Sequence, residues 1–366
     1  MKVPFNYLPY QFKNTSEYFG EWKKLIKSTE FTLGPYVKKF ENNFAKYIGV
    51  KHCISTNNGT DALILALKSL GIKKNDEVIT VCNSFYATAG SIIACGAKPI
   101  FVDADERFQI DVDAIEKAIT KKTKAIMPVH WGGASPNMYD IMKIAKKYRL
   151  KVVEDACMGI GAKIKNKKPG TFGDVNAFSM HPLKSLNVMG DGGMIVTNNN
   201  QIANWIKKYR NHGMIDRDRI SLWGVNTRLQ PLQAIVANKQ LKKVKKIVYL
   251  RNINAKILDK KLSKIKQIKI PQRKKNYLET FALYMICFKQ RDKLKKYLLK
   301  NGIEVKIHYP VPLHLQKASK SLGYKKGDFP KAEKHSKELL TLPIHQYLNK
   351  KQINYIAKKI KNFYNN

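Results

Sequence analysis

The central part of the chain alternates short apolar runs with longer stretches in which apolar residues recur at helical spacing. Short apolar runs bounded by polar or glycine-containing segments are typical of strands that are buried on both faces. Strands that alternate with amphipathic helices form a mainly parallel sheet with helices on both faces, which is an α/β fold. The predicted strands are Glu77–Cys82, Pro99–Val102, Lys124–Val129, Lys151–Glu154, Val175–Ser179 and Gly193–Thr197.

The stretches before and between these strands have the spacing of helices that bury one face. In a sheet of this kind, ligands bind beyond the carboxyl ends of the strands, so residues that directly follow a strand are the first candidates for a functional site. The predicted helices are Tyr36–Tyr47, Asp61–Leu70, Ser84–Cys95, Val112–Ile119 and Met138–Tyr148.

The pattern changes after a basic stretch, Lys239–Lys246, which leads into a helix predicted to run to about Lys261. Fewer strands and helices follow, and they indicate a smaller α+β domain. The chain of 366 residues therefore divides into a large domain with an N-terminal arm, residues 1–245, and a small domain, residues 246–366. The small domain is predicted to contain strands Thr280–Phe288 and Ile303–His308 and helices Arg291–Lys300 and Gln352–Phe363.

The chain carries 68 Lys and Arg against 27 Asp and Glu, a formal net charge of +41. Such a charge raises the possibility of nucleic-acid binding. Only nine of the basic residues are Arg, however, and nucleic-acid sites favour the arginine fork for base and phosphate contacts. The lysines are spread along the chain beside many Asn and Ile, which is typical of an AT-rich genome. We therefore favour a protein without nucleic-acid function whose positive surface attracts small anionic ligands.

The five cysteines are odd in number and widely spaced, without a Cys-x-x-Cys pair. This usage favours reduced thiols in the cytoplasm over a disulfide framework. The sequence has no apolar run long enough for a membrane span and no secretory signal pattern, so we expect a cytoplasmic protein. It also lacks a His-Glu-x-x-His motif and clustered Cys and His, so we expect no catalytic metal.

Two charged residues follow predicted strands at the edge where ligands bind. Asp155 ends the apolar run after Lys151, and Lys184 follows Val175–Ser179. Taken alone, the acid would equally suit a helix cap, and one lysine among many carries little information. Together they suit pyridoxal phosphate, which needs a lysine for a Schiff base and an acid beside its ring nitrogen. A polar turn at Gly59 and Thr60 before a predicted helix would suit its phosphate.

The order of these motifs resembles the DegT/StrS family of pyridoxal-phosphate-dependent sugar aminotransferases, and the resemblance covers nearly the whole chain. Its landmarks are Gly34-Pro35, Asn58-Gly59-Thr60-Asp61-Ala62-Leu63, Glu154-Asp155-Ala156, Gly173-Asp174, Phe178-Ser179 with His181-Pro182 and Lys184, Gly192-Gly193-Met194, Arg210-Asn211-His212-Gly213, Gly224-Val225-Asn226 with Arg228, and His308-Tyr309-Pro310-Val311-Pro312 with His314.

This resemblance implies a fold-type I aminotransferase, with a mainly parallel seven-stranded sheet between helices and a small C-terminal domain. It makes Lys184 the Schiff-base lysine and general base, and Asp155 the partner of the ring nitrogen. It implies cofactor contacts from Gly59, Thr60, Phe85, Asp155, Met158, Ser179, Lys184 and Asn226, the last reaching across from a second subunit. It implies substrate contacts from His181, His308, Tyr309 and His314. Phe85 would also suit a core aromatic, and each histidine taken singly would also suit a structural role.

One departure from the family pattern concerns the cofactor. The family usually has Gln three residues after the Asp, in contact with the cofactor ring or its phenolic oxygen, and this chain has Met158 there. A thioether accepts hydrogen bonds weakly and donates none, so it cannot replace that contact. Another branch of the family has His in place of the Schiff-base lysine and performs dehydration, and Lys184 argues against that branch.

The resemblance predicts an enzyme that moves an amino group from L-glutamate to a nucleotide-linked keto-sugar. The form of His308–Pro312 slightly favours 3-keto over 4-keto sugars. The family also implies a homodimer with shared active sites, and a product used in a surface polysaccharide or glycosylated metabolite. The alternatives are a non-transaminase member of the family and a regulator that binds nucleic acid through its basic surface. A dehydrogenase is disfavoured because the Gly-x-Gly-x-x-Gly pattern is missing.

Overall fold

The computed structural model describes residues 1–365. A seven-stranded sheet forms the centre of the molecule, and its strand order is β1-β8-β7-β5-β4-β2-β3. The strands are β1 His52–Thr56, β2 Glu77–Val81, β3 Lys98–Val102, β4 Thr123–Met127, β5 Lys151–Asp155, β6 Lys163–Ile164, β7 Val175–Ser179, β8 Gly193–Thr197, β9 Ile268–Lys269, β10 Tyr277–Leu278, β11 Tyr284–Phe288 and β12 Leu339–Leu342.

Helices cover both faces of this sheet and build most of the C-terminal part. They are α1 Leu8–Gln11, α2 Ser16–Ser28, α3 Gly34–Ile48, α4 Gly59–Ser69, α5 Tyr86–Ala94, α6 Val112–Ile115, α7 Met138–Lys147, α8 Asn200–Tyr209, α9 Pro231–Leu241, α10 Val244–Leu262, α11 Arg291–Lys300, α12 Pro330–Glu338 and α13 Lys350–Asn365. Three 3₁₀ segments lie at Glu116–Ala118, Leu313–Leu315 and Lys317–Leu322.

The mainly parallel sheet that the sequence predicts is confirmed. Strands β2, β3, β4, β5 and β7 pair in parallel, and β8 is antiparallel to both β1 and β7. Of the seven strands of this sheet, sequence reasoning missed β1, His52–Thr56. Its side chains are almost all buried, but three of its five residues are polar, so it forms no apolar run.

The sheet is buried on both faces, as parallel sheets are. Every residue of β7 and β8 is buried. Alternate residues of one strand pack into different apolar clusters: Val152 of β5 packs on one side and Val153 on the other. This double burial explains why the strands are recognisable as continuous apolar runs, and it fixes the positions of the residues that follow β5 and β7.

The C-terminal part contains a three-stranded antiparallel sheet with β11 between β12 and β9. The strand predicted at Ile303–His308 is wrong, because this segment makes only single bridges, from Ile303 to Val3 and from Lys306 to Thr341. The N-terminal Val3 occupies one side of the segment. The sequence also predicted Val112–Ile119 as one helix, whereas the structure has one α turn followed by a 3₁₀ turn.

Helix α10 belongs to the cores of both parts of the chain. Val244 and Val248 pack in the cluster that contains β7 and β8 residues, while Leu258 and Leu262 pack in the cluster of the C-terminal sheet. The division between residues 1–245 and 246–366 stays a prediction, and α10 connects the two regions without a break.

Buried histidines, among them His335 and His345, make the stability of the fold depend on pH. Burial lowers the pKa of His335 and of His345 from 6.5 to about 4. The unfolded chain therefore binds more protons than the folded chain between about pH 4 and 6.5, so stability is lost as the pH falls through this window. The expected loss between pH 7 and pH 5 is about 1 to 2 kcal/mol for each histidine.

We expect denaturant unfolding at pH 5, 6 and 7 to show this fall, and the fall to be smaller in a His335→Gln variant. The Nδ1 atom of His335 has no hydrogen-bond partner among the described residues, so the substitution by glutamine breaks no hydrogen bond at that atom. An unchanged pH dependence in the variant would contradict the assignment to His335.

Candidate active site

A cleft of about 540 Å³ lies beyond the carboxyl ends of β5 and β7. One wall comes from residues that follow the strands of the large sheet, and the other comes from segments of the C-terminal part, 281–284, 308–309 and 342–345. This is the edge of the sheet where the sequence places the functional residues. The cleft is lined by ten of the predicted residues: Gly59, Thr60, Phe85, Asp155, Met158, Ser179, His181, Lys184, His308 and Tyr309.

Asp155 is the last residue of β5 and is 5% exposed. Its Oδ2 accepts a hydrogen bond from Thr88 Oγ1 at 2.8 Å, and its Oδ1 accepts one from the Cys157 N–H at 3.3 Å. The backbone N–H of His130 donates to the Asp155 carbonyl at 3.0 Å. The carboxylate is therefore held in one orientation at the wall of the cleft.

The neighbouring acid, Glu154, faces away from the cleft and stabilises the strand end. It is fully buried, and its Oε2 lies 2.9 Å from Nε2 of the equally buried His130. Its carboxylate also accepts hydrogen bonds from the N–H groups of Phe172 and Gly173 at 2.8 and 3.0 Å. Buried polar groups with all partners in place make a rigid support, so Asp155 stands on a fixed strand end.

Lys184 lies in the turn after β7 and lines the cleft. Its N–H donates to the His181 carbonyl at 2.9 Å, and its carbonyl accepts from Tyr7 Oη at 3.0 Å and from Asn187 Nδ2 at 3.1 Å. Burial lowers the pKa of Lys184, while the nearby carboxylate of Asp155 opposes the shift. A lower pKa raises the fraction of neutral amine near pH 7, and a general base must be neutral.

The start of α4 forms a cradle for an anion. Asn58 caps the helix by accepting from the Asp61 N–H at 2.8 Å, while Gly59 and Thr60 line the cleft. The N-terminus of a helix presents free N–H groups and the positive end of its dipole. A Cβ at Gly59 would lie 2.7 Å from the Cβ of Ser179, so only glycine fits beside that hydroxyl-bearing residue. This donor set suits a phosphate group.

Aromatic and imidazole groups line the entrance to the cleft. Phe85 is 45% exposed and lies 6.1 Å from Tyr309 between ring centroids, which is not the environment of a core aromatic. His308 Nδ1 lies 2.8 Å from Thr341 Oγ1. Burial, with the charges of nearby lysines, lowers the pKa of His308 to about 4, so its ring is neutral near pH 7. Burial also lowers the pKa of His181.

Two predicted site residues lie outside the cleft of their own chain. His314 is 2% exposed and its Nε2 lies 3.2 Å from Glu333 Oε1, behind the cleft wall. This placement gives no support to substrate contact by His314. Asn226 lies in an exposed loop, where its side-chain oxygen accepts from Arg228 Nε at 2.9 Å. Its predicted contact requires a second subunit and stays a prediction.

Sequence reasoning missed Thr88, the partner of Asp155. It lies one turn of α5 beyond Phe85 and therefore on the same side of the helix, which is the signal that could have found it. Sequence reasoning also missed the N-terminal segment. Tyr7 donates to the Lys184 carbonyl, while the Arg251 guanidinium lies 5.2 Å from the centre of its ring. The N-terminal segment thereby connects the Lys184 turn to α10.

A sequence profile of the DegT/DnrJ/EryC1/StrS aminotransferase family matches residues 13–361 of the chain. The chain belongs to this family. It is an aminotransferase that depends on pyridoxal phosphate, with the fold-type I architecture that its sheet and cleft display.

Named relatives and solved structures resemble all or nearly all of the chain. A pleiotropic regulatory protein of Geobacillus stearothermophilus is 39% identical, over 100% of this chain and 99% of its own. A UDP-2-acetamido-2-deoxy-3-oxo-D-glucuronate aminotransferase of Pseudomonas aeruginosa is 34% identical, over 93% and 94%. The crystal structure of S. venezuelae DesV in complex with a ketimine intermediate superposes with a TM-score of 0.97 at 31% identity, over 100% and 99%.

The residues present suit the cofactor of this family. The start of α4 and Ser179 offer hydrogen-bond donors for its phosphate, and the carboxylate of Asp155 suits its ring nitrogen. Lys184 supplies the amine with a lowered pKa. Across residues 1–365, no cluster of three or more His, Cys, Asp or Glu side chains could hold a metal ion. None of the described helices is long and apolar enough to cross a membrane.

The variant Met158→Gln tests the departure from the family pattern. Met158 lines the cleft, and its carbonyl accepts from Thr280 Oγ1 at 3.0 Å, which fixes its backbone. A glutamine side chain can donate a hydrogen bond where the thioether cannot. We expect the variant to bind pyridoxal phosphate about two- to tenfold more tightly, the effect of one net hydrogen bond. Weaker binding in a cofactor titration would instead show that Met158 is fitted to this pocket.

Proposed function

We propose that the enzyme transfers an amino group from L-glutamate to a nucleotide-linked keto-sugar. The observation that carries this proposal is the convergence of Lys184, Asp155 and an anion cradle in one cleft of about 540 Å³. The P. aeruginosa relative is named for a nucleotide-linked 3-oxo sugar. That name and the His308–Pro312 segment beside the cleft favour a 3-keto over a 4-keto sugar.

Different residues of the cleft would perform different steps of such a reaction. When bound, pyridoxal phosphate supplies a ring that takes up the electron pair released at the amino-bearing carbon. Asp155 keeps a proton on the ring nitrogen and so maintains this electron demand. Burial lowers the pKa of Lys184 and so favours its neutral amine, which would remove the proton from the substrate carbon and return it later in the transfer. Neutral His308 and Tyr309 contact the sugar.

The visible absorbance spectrum tests the first half of this proposal. Protein loaded with pyridoxal phosphate should show a Schiff-base band near the visible range, and L-glutamate should convert it to a band at shorter wavelength. Addition of a UDP- or dTDP-linked 3-keto sugar should then restore the original band, whereas the 4-keto isomer should restore it more slowly. A band that does not change when glutamate is added would refute glutamate as the donor. Faster recovery of the band with the 4-keto sugar would show that the enzyme prefers 4-keto over 3-keto substrates.

We also propose that the working enzyme is a homodimer in which Asn226 completes the cleft of the second subunit. The loop that carries Asn226 exposes large apolar side chains, including Trp223 at 87% and Ile215 at 55%. Exposed apolar patches of this kind mark interfaces. A nucleic acid would bind this surface mainly through charge, so nucleic-acid binding does not explain why these apolar side chains are exposed.

Subunit mixing tests the shared site. Lys184→Ala and Asn226→Ala proteins should each be impaired, and a mixed dimer should contain one cleft with both residues intact. We therefore expect activity to reappear when the two proteins are unfolded and refolded together. If mixing restores nothing while sedimentation shows a dimer, Asn226 does not act across the interface.

The cellular setting of the proposal is the cytoplasm, in a pathway to a surface polysaccharide or glycosylated metabolite. All five cysteines are free thiols, which suits a reducing compartment. The name of the G. stearothermophilus relative keeps a regulatory role as the second candidate. Binding of nucleic acid that weakens steeply between 50 and 200 mM salt would support that role.

A further inference from the structure

The N-terminal segment, residues 3–11, contacts both walls of the cleft. It begins on the C-terminal part of the chain, where the Val3 N–H donates to the Gly302 carbonyl at 2.8 Å and the Val3 carbonyl accepts from the Glu304 N–H at 3.0 Å. The Phe5 N–H donates to Glu304 Oε2 at 2.8 Å, and Phe5 lines the cleft. The segment therefore runs from a fixed position on the C-terminal part into the site itself.

Tyr7 connects this segment to the turn that carries Lys184. Tyr7 is 4% exposed, and its Oη donates to the Lys184 carbonyl at 3.0 Å. Asn187 Nδ2 donates to the same carbonyl at 3.1 Å and lies 3.4 Å from Tyr7 Oη. Asn187 is fully buried, and its Oδ1 accepts from Gln11 Nε2 at 2.7 Å. Two residues of the N-terminal segment thus hold the Lys184 turn, one directly and one through a single side chain.

The C-terminal part fixes the ring of Tyr7 from the other side. The Arg251 guanidinium lies 5.2 Å from the centre of the ring, and the ring centroids of Tyr7 and His345 are 5.6 Å apart. His345 Nε2 also lies 3.1 Å from the carbonyl of Pro4 in the same segment. Because a closely packed buried ring has few alternative positions, the Tyr7 hydroxyl stays at the Lys184 carbonyl.

The backbone of Lys184 needs such support because it belongs to neither a helix nor a strand. Its N–H donates to the His181 carbonyl at 2.9 Å, which closes the turn, while Tyr7 and Asn187 hold its carbonyl. A proton transfer to a defined carbon depends steeply on the position of the base, and a displacement of about 1 Å can cost a hundredfold in rate. The contacts of this backbone therefore bear on the reaction rate.

We propose that Tyr7 is a positioning residue, whose hydroxyl fixes the Lys184 backbone against the C-terminal wall so that the amine reaches the substrate carbon in one geometry. The proposal rests on the role proposed above for Lys184. A residue that positions the base acts on the rate of proton transfer. A residue that contacts the amino donor would act on its affinity instead.

The test compares Tyr7→Phe with a matched control, Tyr10→Phe. Each substitution removes one hydroxyl from the same segment, but Tyr10 is 53% exposed and packs against Tyr347, outside the cleft lining. Each protein, freed of cofactor, is mixed rapidly with pyridoxal phosphate, and the appearance of the Schiff-base band gives one rate. Each loaded protein is then mixed with L-glutamate over a range of concentrations, which gives a maximal rate and a half-saturating concentration.

Loss of the positioning hydrogen bond in Tyr7→Phe should lower both the rate of Schiff-base formation and the maximal glutamate rate about three- to tenfold. The half-saturating glutamate concentration should not change, and Tyr10→Phe should behave as the wild-type protein. If neither rate of Tyr7→Phe is lower than that of Tyr10→Phe, the proposal is overturned. A higher half-saturating concentration with an unchanged maximal rate would also overturn it, because Tyr7 would then contact the amino donor.

Further variants separate the hydrogen bond from the fold and from the role of Lys184. Replacing Tyr7 with 4-aminophenylalanine restores a donor and should recover most of both rates. If Tyr7→Phe does not fold, replacing Tyr7 with 4-methylphenylalanine fills the space of the hydroxyl without a donor and takes its place. If glutamate leaves the wild-type band unchanged, the proposed amino donor is wrong, and the rate of Schiff-base formation alone decides for Tyr7. If Lys184→Ala still forms that band, the roles of Lys184 and Tyr7 are both refuted.

Discussion

Replacing Lys184 with alanine is expected to lower the rate of transamination by about 10⁴-fold or more. Lys184 is the lysine that lines the cleft beside Asp155, and burial lowers its pKa. Both halves of the reaction need a base that removes a proton from carbon and an acid that returns it. General acid–base catalysis alone contributes up to about 10⁴-fold, and loss of covalent attachment adds to the effect.

The same variant should still bind pyridoxal phosphate, because the start of α4, Ser179 and Asp155 remain. Absorbance should then show the free aldehyde form in place of the Schiff-base band. Lys168→Ala is the matched control: Lys168 also has a pKa lowered by burial, but it contacts the Tyr47 carbonyl outside the cleft. Full activity in Lys184→Ala, or an equal loss in Lys168→Ala, would refute the role of Lys184.

The strands that place Asp155 and Lys184 were predictable because a sheet buried on both faces forces its strands into apolar runs. Once β5 and β7 are recognised, the residues that follow them must lie at one edge. The same logic fails for β1, in which buried Ser55 and Thr56 donate hydrogen bonds to the Glu41 carboxylate and the Asn58 carbonyl and interrupt the apolar run. A buried strand can be recognised from the sequence only where its residues are apolar.

The contacts that complete the site join residues that are far apart in the sequence, so the sequence pattern did not predict them. Thr88 meets Asp155 from 67 residues away, and Tyr7 meets Lys184 from 177 residues away. For His314 the error was the opposite one. It was predicted to contact the substrate because it lies close in sequence to His308 and Tyr309. The 3₁₀ turn Leu313–Leu315 directs it instead toward Glu333, behind the wall of the cleft.

The sequence could not have shown that the buried Nε1 of Trp131 has no hydrogen-bond partner among residues 1–365. The sequence does show the pair of glycines that follows, and their positive φ angles explain why this loop is built from them.

Asp155→Asn is expected to retain pyridoxal phosphate but lose about a hundredfold to a thousandfold in rate, the range measured when one preorganised electrostatic contact is removed. The asparagine side chain is nearly the same size, and its oxygen can still accept from Thr88 Oγ1, as Asp155 does at 2.8 Å. A neutral amide cannot favour a proton on the ring nitrogen, so the ring would take up electrons less readily.

The variant Thr88→Val separates charge from orientation in this contact. It keeps the carboxylate of Asp155 and removes the hydrogen bond to its Oδ2, while the Cys157 N–H still donates to Oδ1 at 3.3 Å. We therefore expect only a several-fold loss of rate, about what one hydrogen bond contributes. The measurement is the rate of the glutamate half-reaction, followed by the disappearance of the visible band in rapid mixing. If Asp155→Asn reacts as fast as the wild-type protein, the carboxylate does not hold the ring proton. If Thr88→Val loses as much as Asp155→Asn, the orientation of the carboxylate rather than its charge controls the reaction.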